Sequence, residues 1–249
     1  MSQETRKVLD SSAEAYKDKT IANWENLYRQ KIRRLFEVFV SFFPQRQVLR
    51  ALELGLADGE MTQHILRYFS HATLVDGAKA HVDETGERAR GLGLQNFTGV
   101  HALFEEFTPD EVFDVIFMAH VLEHMDDAIG LLRRATEWLA PDGIMCLAVP
   151  NSNSLHRHVG VQMGMLKRCD SLHEQDLRVG HKRVYSPELF RGHVREAGLR
   201  EVKYGGLMVK PLSNRQVEAQ WSEELINAFF GISDIFPDIC SEIYIIAGR

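Results

Sequence analysis

Val48-Leu-Arg-Ala-Leu-Glu-Leu-Gly-Leu-Ala-Asp-Gly59 is the stretch on which the fold turns. Its apolar run has strand character as far as Glu53, and small residues then recur at alternate positions, Gly55, Ala57 and Gly59. Glu60-Met-Thr-Gln-His-Ile-Leu-Arg-Tyr-Phe follows with a helical pattern. A strand, a tight turn of small residues and a helix make the first unit of a doubly wound α/β sheet. Ligands bind at such turns because the backbone can be approached closely and the helix N-terminus presents unpaired N–H groups. A glycine turn alone carries little weight; Glu53 at the end of this strand and Asp76 at the end of the next give it content.

On either side the pattern continues. From about Lys7 to Phe43 the chain reads as helical, with Tyr16, Trp24 and Tyr28 among charges. Ile32, Leu35, Phe36, Phe39 and Phe43 then recur at helix spacing before Pro44. The apolar stripe predicts a helix packed on the sheet, and the aromatic first part could fold over the site as a lid. Downstream, strands are expected at Ala72–Val75, Phe97–Leu103, Phe113–Ala119 and Ile144–Val149, alternating with helices at Lys79–Arg90 and Ala128–Leu139. Pro141-Asp142-Gly143 reads as a turn into the fifth strand. The continuously apolar strands are those of a parallel sheet covered on both faces. After Pro150 the alternation stops, and Asn151 to about Tyr185 is an insert rich in histidine and basic residues. Ser186-Pro187 caps a helix ending before Gly198; a strand at Leu199–Tyr204, a helix at Asn214–Phe230 and a strand at Glu242–Ala247 complete the chain. The expected fold is α/β: a Rossmann-like, seven-stranded, mostly parallel sheet with helices on both faces and an N-terminal helical lid.

Composition narrows the function classes. A chain of 249 residues with 45% hydrophobic and 26% charged content can bury a substantial core. A formal charge of -6 argues against a nucleic-acid partner. Cys146, Cys169 and Cys240 lie far apart and supply neither a zinc-ribbon spacing nor an iron–sulfur cluster. With no signal-like start and no apolar run of spanning length, a cytoplasmic protein without membrane insertion is expected. A homodimer is one assembly the sequence allows.

The acids and the turn act together. A carboxylate ending the second strand can accept ribose hydroxyls. Glu53 and Asp58 beside the turn would oppose a pyrophosphate, so a cationic or zwitterionic cofactor fits better than a dinucleotide.

At this point the chain resembles the class I S-adenosylmethionine-dependent methyltransferases. The matching residues are Leu52-Glu53-Leu54-Gly55-Leu56-Ala57-Asp58-Gly59, Leu74-Val75-Asp76, Phe113-Asp114-Val115-Ile116-Phe117, His120-Val121-Leu122-Glu123-His124 and Leu139-Ala140-Pro141-Asp142-Gly143. The Leu-Glu-His element is most similar to the ubiquinone-biosynthesis branch, whose members mostly methylate small molecules. The resemblance covers Val48 to Val149 well. It implies a single methyltransferase domain over 1–249: a helical lid (1–44), a cofactor-binding half (45–150), an acceptor-side insert (151–185) and the rest of the sheet (186–249). It implies S-adenosyl-L-methionine as cofactor, with Gly55, Ala57 and Gly59 cradling its methionine moiety and Glu53 near its ammonium. Asp76 would hold the ribose hydroxyls, and the segment around Leu103 and Phe104 would flank the adenine. Two positions depart from the family pattern: Ala57 replaces the commoner middle glycine, and the Asp that many relatives carry near Leu103 is missing.

Methyl transfer to a hydroxyl requires removal of a proton, and a histidine is the natural base. His120, just past the fourth strand and also beside the cofactor, is the first candidate and His181 the second. A structural role for His120 is equally compatible with the pattern. Tyr16, Tyr28, Asn151, His156, Arg183 and Tyr185 are the expected acceptor-binding residues, the arginine gripping an anionic group. In the ubiquinone branch a Glu-x-x-Glu-His stretch can bind a divalent metal; here His120 takes its first position, and no metal is expected. The expected reaction is methylation of a small molecule, oxygen before nitrogen. A nucleotide-dependent oxidoreductase and a non-catalytic cofactor-binding subunit are the alternatives.

Overall fold

Seven strands make one sheet: β1 (Arg50–Leu54), β2 (His71–Asp76), β3 (Phe97–His101), β4 (Phe113–Ala119), β5 (Leu139–Pro150), β6 (Arg200–Val209) and β7 (Cys240–Gly248). Their order is β3-β2-β1-β4-β5-β7-β6, with β7 antiparallel to both neighbours and the other pairings parallel. The computed structural model describes residues 25–43 and 49–249. The order reverses between β1 and β4, so the crevice at their carboxyl ends is the topological switch point where ligands bind in open α/β sheets. Among the described residues, no helix is long and apolar enough to cross a membrane.

Alternation along the strands fills two cores. Leu52, Leu54, Ile116, Met118, Met145 and Leu147 face α4 (Ala128–Trp138) and α7 (Pro187–Glu196), meeting Leu131, Leu132, Phe190 and Val194. Ala51, Val115, Phe117, Cys146 and Tyr244 face the opposite side, against α1 (Glu25–Val40), α2 (Glu60–Tyr68) and α9 (Glu223–Gly231). Between β2 and β3 runs α3 (Lys79–Gly91).

The described part of the N-terminal segment is a wall of the domain. Leu27, Ile32, Leu35, Phe36 and Phe39 of α1 are all buried, and the Phe36 and Phe39 rings lie 6.3 and 6.0 Å from that of Phe117. Each such side chain contributes about 1.5–3 kcal/mol, so this helix is not free to swing. Tyr16, Trp24 and Pro44 lie outside the described residues.

Two expectations need correction. Pro141-Asp142-Gly143 is not a turn preceding β5 but a bulge within it: Phe113 pairs with Leu139 and Val115 with Ile144, so one strand carries extra residues at that point. The last helix is two, α8 (Asn214–Gln220) and α9, because Trp221 is extended and Ser222 caps the next helix by accepting from the Leu225 amide at 3.3 Å. The expected Ser186 cap is present, accepting from Leu189 N at 3.2 Å.

The insert after β5 is partly helical, with α5 (Leu155–Gln162) and α6 (Glu174–Arg178). Arg157 holds it together. Its guanidinium donates to Asp176 Oδ2 at 2.6 Å and to the carbonyls of Cys169 and Ser171 at 3.0 and 2.9 Å, with both charged residues buried. Removing one partner of a buried ion pair strands the other, which costs about 3–5 kcal/mol. Arg157→Leu is therefore expected to destabilise the domain by that amount in urea unfolding; wild-type stability would show the insert to be held otherwise.

Candidate active site

The turn after β1 shapes the first wall. Gly55 has φ +81°, and a Cβ there would stand 2.8 Å from Val121 Cγ2 and 3.9 Å from the Phe104 ring. Gly59 has φ +74° and is closed in by Thr85 at 3.0 Å. Ala57 also sits at positive φ, +45°. Strain of about 1–3 kcal/mol at such a position persists only where surroundings enforce it. Ala57 thus does more than occupy a methyl's worth of space.

Two acids close this wall from below. Asp76 is buried and accepts from the amides of Leu56 and Ala78, each at 2.8 Å, while His81 Nδ1 lies 3.2 Å away. It therefore fixes the two loops that flank the crevice. Glu53 is buried behind them and accepts from the Thr62 hydroxyl at 2.7 Å. Burial pushes its carboxyl up to about 8, with Asp76 and Asp58 adding to the rise against the Thr62 bond. A buried acid in that state is stabilised by a cation brought beside it.

Phe104, next to Gly55, stands where an aromatic wall is wanted, and half-buried Leu103 anchors its turn by accepting from the amides of Glu106 and Phe107. Tyr28 stands beside the turn after β1, its hydroxyl 3.3 Å from Asp58 Oδ1.

His120 forms the opposite wall at the end of β4. Its φ is +59°, a conformation few non-glycine residues adopt, and it precedes Val121, which packs on Gly55. Glu123 Oε1 lies 3.2 Å from its Nδ1 and Glu242 Oε2 3.3 Å from its Nε2. Burial alone would lower its pKa, but Glu242 and Glu123 overcome that and raise it to about 10. His120 is accordingly an imidazolium at neutral pH. Glu242 also pairs with Lys31 of α1, and these cations hold its carboxyl far below the usual range against the opposing effect of burial. Burial likewise pushes Glu123 up, yet the bond from His120 and the nearby His120, His124 and His181 charges leave it below its ordinary value.

His181 is drawn elsewhere. Its Nδ1 lies 3.2 Å from Asp176 Oδ1, and its ring stacks edge-on against His124 at 4.8 Å. Ligand atoms of Glu123, His124 and His181 lie within 4.8 Å of one another. One carboxylate and two imidazoles could hold a divalent ion of the zinc type. Glu123 and His124 belong to the stretch that aligns with the metal-binding one of the ubiquinone branch, and His181 comes from the insert.

Three expected acceptor residues make contacts within the fold. Asn151 is buried, with its amide donating to the carbonyls of Asp238 and Cys240 at 2.9 and 2.8 Å. Tyr185 is fully buried against Phe190, its hydroxyl 3.1 Å from His193 Nδ1. Arg183 donates to the carbonyls of Leu122 and Asp126 at 3.4 and 3.2 Å and so latches the turn carrying Glu123. Of the described members of that group, only His156 keeps an unengaged buried atom, its Nδ1. The residues that sequence reading missed are Lys31, Lys210 and Glu242. A lysine between Leu27 and Leu35 on one helical face was the available signal for the first.

The reversed sheet order, with a small-residue turn after its first strand, is the fold of the class I S-adenosylmethionine-dependent methyltransferases. A family model described as a methyltransferase domain matches residues 24–204, and the chain belongs to that family. The ubiquinone biosynthesis O-methyltransferase of Rhodopseudomonas palustris strain BisB5 is 27% identical over 178 residues, covering 67% of this chain and 64% of that protein. The chain thus spans just under two thirds of that relative's length. A probable (S)-tetrahydroprotoberberine N-methyltransferase 2 of Papaver bracteatum is 24% identical over 96 residues, 38% of this chain and 27% of that one. Among solved structures, a S-adenosylmethionine-dependent methyltransferase of Leishmania major shares the fold, with TM-score 0.63 and 14% identity over 96% of this chain and 82% of that one. The family match does not favour the oxidoreductase alternative.

Glu53 makes a pH-dependent contribution with a definite sign. Its folded value, about 8, exceeds its unfolded value of 4.5, so folding favours the neutral acid. Stability from this residue is complete below the unfolded value and is lost as pH rises through about 8. Glu53→Gln is expected to melt above the wild type at pH 8 to 9, with the gap closing near pH 4; a pH-independent difference would contradict the assignment.

Proposed function

We propose that this chain transfers a methyl group from S-adenosyl-L-methionine to a small-molecule acceptor, at a hydroxyl oxygen. The observation that carries the reading is the junction of the strained turn with His120: Val121 packs on Gly55, and His120 precedes it, held by two carboxylates. The cofactor, when bound, supplies an activated methyl group on a sulfonium. The turn at Gly55, Ala57 and Gly59 offers it close backbone approach, and Glu53 answers its ammonium. Asp76 already accepts three contacts, of the roughly four that a carboxylate can take. Its remaining capacity, on Oδ1, suits one ribose hydroxyl. Phe104 flanks the adenine.

A hydroxyl acceptor must lose a proton, and His120 is the group beside the turn that can take it. In the free protein that imidazole is already charged, so its basic form is reached only as pH rises towards about 10. The ubiquinone biosynthesis relatives support an oxygen acceptor. An amine acceptor would need less from such a base, and the Papaver relative keeps nitrogen as the second reading.

Two experiments test this. S-adenosylhomocysteine is expected to bind wild type by calorimetry, and Glu53→Gln to weaken S-adenosylmethionine, whose affinity for wild type rises from pH 6 to 8 as Glu53 gives up its proton. No binding would refute the reading. With any accepted hydroxyl substrate, kcat/KM should rise about tenfold per pH unit below the His120 value. Glu242→Gln should shift that limb to lower pH by removing a carboxylate, and His120→Gln should abolish it. A limb unmoved by both changes would leave His120 a structural residue.

A further inference from the structure

Lys210 follows directly on β6, at the carboxyl edge of the sheet that also carries His120 and Glu242. It is 4% exposed, and its ammonium donates to the Leu212 carbonyl at 3.0 Å. Among the described residues no carboxylate lies within ion-pair distance of it. The charges around it are already assigned to one another: Arg157 to Asp176, and Lys31 and His120 to Glu242, with Glu123 on the far side of His120. Among the described residues, Lys31, His120 and Arg157 each have a carboxylate partner, and the Lys210 ammonium has the Leu212 carbonyl but no carboxylate. Burial lowers its pKa to about 7, with repulsion from Lys31 and Arg157 helping and attraction from Glu242 too weak to offset them.

His156 on α5 reports the same excess of positive charge. Burial first, then Lys210, Arg157 and Lys31, drive its imidazole down to about 2, so it is neutral, and its Nδ1 is buried with no partner. A neutral imidazole can donate or accept one hydrogen bond there. A buried ammonium without a counter-ion is unfavourable unless a ligand supplies the missing charge. His120, paired with the same Glu242 as Lys31, keeps 26% side-chain exposure.

We propose that Lys210, with Lys31 and His156, forms a subsite for an anionic group, a carboxylate or a phosphate, carried by the methyl acceptor. This rests on the methyl-transfer reading above. It places the anion on the β6–β7 side of His120, away from Glu53 and Asp76, and makes an acidic hydroxyl-bearing molecule the substrate class.

The test titrates 4-hydroxybenzoate, phenyl phosphate and phenol into protein saturated with S-adenosylhomocysteine, as wild type and as Lys210→Met. One of the two anions is expected to bind wild type and to bind Lys210→Met at least about tenfold more weakly, the loss of one hydrogen bond to a charged group. Phenol should bind both alike, and S-adenosylhomocysteine should bind both alike. The carboxylate and phosphate arms identify which anion is read. Lys210→Met should melt at or above wild type because it removes an unpaired buried charge, and Lys210→Gln provides a second folded variant. The proposal is overturned if neither anion binds, if neither binds Lys210→Met more weakly than wild type, or if the variant loses S-adenosylhomocysteine to the same degree, which would make the cofactor's own carboxylate the occupant. Failure of wild type to bind S-adenosylhomocysteine at all would instead remove the methyl-transfer reading.

Discussion

One carboxylate, that of Glu242, ties three distant parts of the chain to a single point. It takes the Lys31 ammonium from α1 and the His120 imidazole from the end of β4, while itself standing near the start of β7. That is possible only because β7 runs antiparallel, so that its first residues reach the carboxyl edge where the parallel strands end. Removing the carboxylate would leave a buried lysine and a buried imidazolium facing each other. Such arrangements are worth less as net stabilisation than as specification, because breaking one partner is costly while making the pair is nearly neutral. The position of α1 over the site and the protonation of His120 therefore follow from the same contact.

Backbone strain gathers at the same edge. Ala57, His120 and Met208 are the non-glycine residues with positive φ among those described. Ala57 is in the turn, His120 ends β4, and Met208 lies two residues before Lys210, its amide donating to Ser233 Oγ at 2.9 Å. Each conformation costs about 1–3 kcal/mol and survives where neighbours fix it. In each case the strained residue adjoins a group that faces the crevice, which is what would be expected if the fold gives up stability to aim side chains there.

Much of this was legible in the sequence, and the limits are physical. The seven strands and the turn could be read because apolar periodicity and small residues are local signals. Glu53 and Asp76 could be placed because they end strands. The insert resisted: Arg183, Tyr185 and Asn151 have the chemistry of ligand contacts, yet each is engaged by backbone groups 57 to 89 residues away in sequence, those of Leu122, Asp126, Asp238 and Cys240. No local pattern reveals that. Lys31, Lys210 and Glu242 were missed for the converse reason, since each looks like an ordinary surface charge until the sheet order brings them together. The contact of His181 with Asp176 was not legible because Asp176 belongs to the capping box of a short helix that the sequence does not announce.

The two sides of the crevice are sorted by charge. The turn side holds Glu53, Asp58 and Asp76, and among the described residues no lysine or arginine pairs with Glu53 or Asp76. The far side holds Lys31, Lys210 and Arg157 around a neutral His156. A positively charged methyl donor and a negatively charged acceptor would each be drawn to one side and repelled from the other, so orientation would be set before any close contact forms. His120 stands on the boundary, the one cation placed between two carboxylates. Its proton is held by both sides of that division: an anion arriving at Lys210 strengthens the hold, and a cation arriving at Glu53 weakens it. The binding of the two partners and the state of His120 are in this way parts of one electrostatic balance, with Glu242 at its centre.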